Sequence, residues 1–156
     1  MIGEKRMSFK KNKYRLIKNV IPKELAIFCY NYLLMKKQVY DTCLKHKYFS
    51  PFEKTLGYYE LGDDQVPHTY ANYADIAMET LLLKVQPIIE KQTSLKLYPN
   101  YTYTRNYKKG DELAKHVDRF SCEISTTLNL GGDPWPIYLD PTGKEGQEGI
   151  KVDLEP

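Results

Sequence analysis

LYPNYTYTRNYKKGDELAKHVDRFSCEISTTLNL, residues 97–130, is the stretch on which the fold turns. Its flanks, 97–107 (LYPNYTYTRNY) and 122–130 (CEISTTLNL), are short, rich in aromatic and β-branched residues, and parted by the turn signal Lys109-Gly110-Asp111. The pattern continues in 135–140 (WPIYLD) and 149–154 (GIKVDL), after Gly131-Gly132-Asp133-Pro134 and the run from Gly143 to Gly149. Side chains with rings or a branched Cβ suit a pleated, half-buried surface, and glycine or proline between them reverses the chain. The spacing therefore predicts antiparallel β structure.

Upstream the period changes. Residues 13–20 (KYRLIKNV) alternate enough for a short strand, and Pro22 suits the first turn of a helix. From Glu24 to about Val39, Leu25, Phe28, Cys29, Tyr32, Leu33 and Met35 fall at helical spacing. Residues 41–69 carry turn formers (Ser50-Pro51, Gly57, Gly62-Asp63-Asp64, Pro67) and read as loop with short extended pieces. A second helix is predicted over 70–93. Asn72 or Tyr73-Ala74-Asp75 opens it, Ile76, Leu82, Leu83, Ile88 and Ile89 form its apolar face, and Pro87 is a candidate kink. Two helices followed by a run of strands suggest a β-barrel or jelly roll with helices packed outside.

Length and composition set the frame. At 156 residues one domain is expected: a basic leader (1–12), a mostly helical support (13–96) and a β core (97–156). With 42% hydrophobic and 28% charged residues, wholesale disorder and low complexity are excluded. No apolar run is long enough for a membrane helix, and the N-terminus lacks the apolar segment of a secretory signal. Three cysteines, without a CxxC, read as reduced thiols and point to the cytoplasm. The net charge of +3 hides an asymmetry: residues 1–23 carry +7 and the rest −4. The leader is a solvated, frayed terminus or a contact for anionic surfaces.

The chemistry concentrates in His116-Val117-Asp118. In extended chain, residues two apart point to one side, so an imidazole nitrogen and a carboxylate oxygen can share an ion. Mixed nitrogen and oxygen donors suit non-haem Fe(II) in a facial triad of two histidines and one carboxylate. Alone, the pair reads first as a surface histidine beside a charge and only second as a ligand pair.

The surrounding pattern YxRxYxxGxxLxxHxDRxxCEIS, from Tyr103 to Ser125, resembles the 2-oxoglutarate- and Fe(II)-dependent dioxygenase superfamily in its prolyl-4-hydroxylase-like branch. The likeness covers about residues 97–156 and implies a double-stranded β-helix (jelly-roll, cupin-like) core behind N-terminal helices. It implies His116 and Asp118 as iron ligands, Tyr107 as a hydrogen-bond partner of 2-oxoglutarate, and Thr127 near that co-substrate's distal carboxylate. Fe(II), 2-oxoglutarate and O2 are then required, with ascorbate as an auxiliary reductant, and a substrate C–H bond is hydroxylated as 2-oxoglutarate becomes succinate. The branch resemblance implies a peptidyl side chain such as proline as prime substrate, while related folds oxidise free amino acids, small metabolites or nucleobases, so the likeness leaves the choice open. Strand alternation sets Tyr101, Tyr103, Arg105 and Tyr107 on one face. There Tyr103 and Arg105 either bind an anionic substrate group or fill the core around a salt-bridged arginine. Ser125, Thr127 and Asn129 share a polar face on the next strand. Arg119 either reaches toward substrate or pairs with a carboxylate.

The sequence also departs from this pattern. No histidine follows His116, whereas the family's third ligand lies well downstream, and His46 and His68 read as loop or surface residues. The basic residue that anchors the co-substrate's far carboxylate is missing as well. The β core is thus expected to be C-terminally incomplete, with poor iron affinity, slight or no turnover, and an open sheet edge. Two non-enzymatic readings compete. One is a metal-free jelly-roll binding or assembly module. The other is a single-strand nucleic-acid module using YTYTRNYKK, which the acidic body disfavours.

Overall fold

A computed structural model describes residues 9–50, 53, 55–59, 65–144 and 148–156. Most of the basic leader lies outside them, as do Gly62-Asp63-Asp64, Pro51 and residues 145–147. A single helical turn, α1 (Phe9–Asn12), comes first. Residues 13–20 then form no strand, because Lys13 (φ 64°) and Asn19 (φ 53°) both take the left-handed conformation, which breaks an extended run. Arg15 instead donates to the Gln92 carbonyl at 2.7 Å, tying this segment to the end of the second long helix.

Pro22 caps α2 (Lys23–His46), which runs seven residues past Val39 and stops where Lys47 turns left-handed (φ 57°). His46 is therefore the last residue of a helix, exposed and stacked on Tyr48, the surface alternative of its sequence reading. The predicted second helix divides. Residues 70–73 become strand β1 (Tyr70–Tyr73), and α3 (Ile76–Thr93) begins only after Asp75, whose carboxylate accepts from the Ala77 and Met78 amides at 3.0 and 3.2 Å. Pro87 lies within α3.

The core sits between the long helices. Ala26, Cys29 and Leu33 of α2 pack with Met78, Leu81 and Val85 of α3, and Ile21 closes one end. The predicted stripes are met at Cys29, Leu33 and Ile89, which are buried, and missed elsewhere: Phe28 is 66% exposed, Met35 60% and Ile76 82%, and the core uses Ala26, Met78, Leu81 and Val85 instead. The pairing of α2 to α3 is also polar. Buried Asp75 accepts from the Tyr32 hydroxyl (2.8 Å) and from the Lys36 ammonium. Burial alone would raise this carboxyl, but Lys36, Tyr32 and the Met78 amide outweigh it and hold it below the usual range. Burial and Asp75 in turn push the Tyr32 phenol up to about 12.

Four strands make two separate antiparallel pairs among the described residues. β1 pairs with β2 (Tyr103–Asn106), Tyr70 opposite Asn106, and β3 (Trp135–Leu139) pairs with β4 (Ile150–Leu154). Residues 122–130 are not a strand: the Asn129 side chain, instead of a backbone ladder, reaches the Leu154 carbonyl at 2.8 Å. Leu130 packs on the helical core, and at Gly131 an added Cβ would lie 2.8 Å from the Tyr30 ring, so only a glycine lets the chain lie flat there. No helix among the described residues is long and apolar enough to cross a membrane.

Candidate metal centre

Residues 107–119 run without regular structure from the end of β2, and two ion pairs steer them. At one end Asp111 accepts from Thr69 (2.6 Å), the Lys108 amide (2.9 Å) and the Lys108 ammonium (2.5 Å). Burial would raise the Asp111 carboxyl, but these donors together hold it low. At the other, Lys115 meets Asp140 at 2.8 Å, just beyond β3. Hydrogen bonds from Lys115 and Thr142 hold Asp140 far below the ordinary carboxylate range.

Just beyond Lys115 the chain presents His116 and Asp118 on the surface, with Nε2 and Oδ1 3.5 Å apart. His116 Nδ1 lies 2.8 Å from the Ala114 carbonyl oxygen, which only accepts, so Nδ1 carries the proton and donates. In the neutral ring Nε2 then has a free lone pair on the side of Asp118, the form a metal ligand requires. Asp118 Oδ2 accepts from the Ser125 hydroxyl, which leaves Oδ1 toward the histidine. Two donors held about 2.1 Å from one ion at neighbouring positions stand roughly 3–3.5 Å apart, so this pair fits a shared ion. Among the described residues no group of three His, Cys, Asp or Glu side chains converges, so the pair fits two ligand positions and not a third.

Other predicted site residues form a chain of stacked contacts leading away from the pair. Arg119 lies 5.8 Å over the Tyr101 ring, Tyr101 stands 4.7 Å from Tyr73, and Tyr73 meets Tyr103 edge-on at 6.5 Å. Arg105 covers the Tyr103 ring at 4.6 Å and donates to Gln65 at 2.9 Å. Tyr103 and Arg105 therefore do share a face, as strand alternation predicts. Tyr107 belongs elsewhere: its ring packs 4.6 Å from Trp135, which joins the end of β2 to β3. Thr127 is exposed.

Tyr101 and Cys122 are spatial neighbours that sequence reasoning did not join. The Cys122 thiol lies 3.6 Å from the Tyr101 hydroxyl, and Asn100 reaches the Ser121 carbonyl at 3.2 Å. The bond from Cys122 and partial burial push the Tyr101 phenol up against the opposing pull of Arg119. Ser125 was visible as part of a polar face, but its contact with Asp118 depends on a turn that returns residue 125 to residue 118, which strand alternation does not foretell.

Compared with family models, with curated proteins and with solved structures, the chain matches none.

Proposed function

We propose that the chain is a 2-oxoglutarate- and Fe(II)-dependent oxygenase on a double-stranded β-helix core, hydroxylating a peptidyl or small-molecule C–H bond. The observation that supports it is the convergence of His116 Nε2 and Asp118 Oδ1, with the ring proton committed to Ala114 and the second carboxylate oxygen to Ser125. When bound, iron with O2 and 2-oxoglutarate supplies the oxidising chemistry. The chain's residues contribute position. Ala114 sets the histidine tautomer, Ser125 orients the carboxylate, and Arg119 over Tyr101 places a fixed cation next to the pair in sequence. Arg105 on Tyr103 offers a second cation for an anionic group. One face of Tyr101 and one face of Tyr103 already carry an arginine, which leaves less open ring surface for stacked bases and favours the oxygenase over a single-strand binding platform.

The test is succinate formation from 2-oxoglutarate with Fe(II) and O2, run with and without added imidazole as a substitute third nitrogen ligand. Slow succinate formation that imidazole stimulates, and that His116→Ala and Asp118→Ala abolish, is expected. Equal rates in the parent chain and both variants overturn the reading in favour of a metal-free module.

A further inference from the structure

We infer that the outer face of α2 is a self-complementary surface on which two copies of this chain pair, helix against antiparallel helix, about a two-fold axis. One side of α2 is spent on α3. The opposite side carries Ile27, Phe28, Leu34 and Met35, all exposed, from 41% at Leu34 to 66% at Phe28. They recur at helical spacing and so form one stripe, with Asn31 and Gln38, also exposed, along its middle. A helix that packs on a single core needs one apolar side; α2 has two, and the outer one is left to water.

Three features of the stripe select a second copy as its occupant. Its ends carry opposite charge, exposed Glu24 at the N-terminal end and exposed Lys45 at the C-terminal end. Parallel pairing would stack like on like, whereas antiparallel pairing sets each Glu24 beside the second copy's Lys45 and opposes the two helix dipoles. Asn31 and Gln38 lie equally far from the midpoint between Leu34 and Met35. A two-fold axis there brings each Asn31 amide to the second copy's Gln38, and each amide both donates and accepts. A lipid surface would leave those amides unpaired, so it fits the face less well. The stripe also has relief. Gln38, Asp41, Thr42 and Lys45 border a shallow depression, and the same axis lays Ile27 and Phe28 of the second copy over it. Ridge thus meets hollow twice at a shallow crossing angle. From Glu24 to Lys45 the seam is about 32 Å long but only one helix wide. That is small for an interface, so the dimer should form at roughly tens of micromolar.

The experiment is sedimentation equilibrium of the whole chain over roughly 1–500 µM. The parent should pass from monomer to dimer across that range. Leu34→Glu combined with Met35→Glu crowds carboxylates at the axis and should abolish the dimer. Its urea midpoint at about 1 µM, where the monomer prevails, should match the parent's, which separates loss of the dimer from loss of the fold. Glu24→Lys alone and Lys45→Glu alone should each weaken the dimer about ten-fold, and an equimolar mixture of the two, in which every close pair is again opposite in charge, should return within about two-fold of the parent. This mixing arm decides the matter even if the double glutamate variant unfolds. A parent that stays monomeric throughout, or a dimer that the glutamates leave intact, overturns the inference. A mixture no tighter than its two components overturns the antiparallel pairing. A monomer that sediments with phosphatidylcholine vesicles gives the face to lipid and overturns it as well.

Discussion

The two halves of the molecule are held together by different means. Up to Thr93, two long helices bury a continuous apolar seam, with Asp75 clamped inside it. After Thr93, Val152 is the only buried apolar side chain among the described residues. There the chain is held by two short antiparallel ladders, β2 on β1 and β3 on β4, and by point contacts: Asn129 on Leu154, Gly131 against Tyr30, Tyr107 on Trp135, Lys115 on Asp140. The contrast separates stability from chemistry. The helical half supplies the core, and the second half displays the candidate ligands on a surface that contributes little to folding.

Asp75→Ala should break this division most severely. It strips a helix cap and leaves Lys36 and Tyr32 without their buried partner, a loss of about 3–5 kcal/mol in urea unfolding. The same carboxylate sets a pH limit. Its folded pKa is depressed, so its stabilisation is fully present above the unfolded-state value near 4 and disappears as pH falls through the lower folded value. Asp75→Asn should flatten the acid limb of a stability–pH curve, and an unchanged limb would remove the clamp from the account. Leu33→Ala should cost about 3 kcal/mol in the same assay, whereas Phe28→Ala on the same helix, 66% exposed, should cost under about 0.5. Equal costs would mean that the seam has been misplaced. Gly131→Ala forces a methyl into the Tyr30 ring and should cost about 1–2 kcal/mol, with faster amide exchange in residues 129–139 and little change in α3. His116→Ala should be the mildest, within about 0.5 kcal/mol of the parent, because its ring is a surface group.

What could be read from sequence follows the same divide. Both long helices are written locally, in runs of helix-compatible spacing, and Cys29 and Leu33 of the predicted stripe do reach the core. Size drew attention to Phe28 and Met35, which are exposed, and away from Ala26, which is buried. Residues 70–73 hid inside a helical pattern because the partner that makes them a strand lies about thirty residues on, in Tyr103–Asn106. In residues 122–130 the composition suited a strand, and the Asn129 side chain took the contact that a ladder would have made. His116 and Asp118 were legible because their geometry needs only extended chain. Ser125 and Tyr101 reach the site through tertiary turns, which no local spacing encodes.

The Asp75 clamp has a further consequence for how the helices find each other. Tyr32 and Lys36 are one turn apart on α2, and both point at one carboxylate. Sliding α2 by a single residue turns it 100° and moves it about 1.5 Å, which carries both donors away together. Oily side chains tolerate such a slip; a two-pronged grip does not. Asp75 therefore works as an index pin, admitting one docked phase of the helix pair and disfavouring its near neighbours.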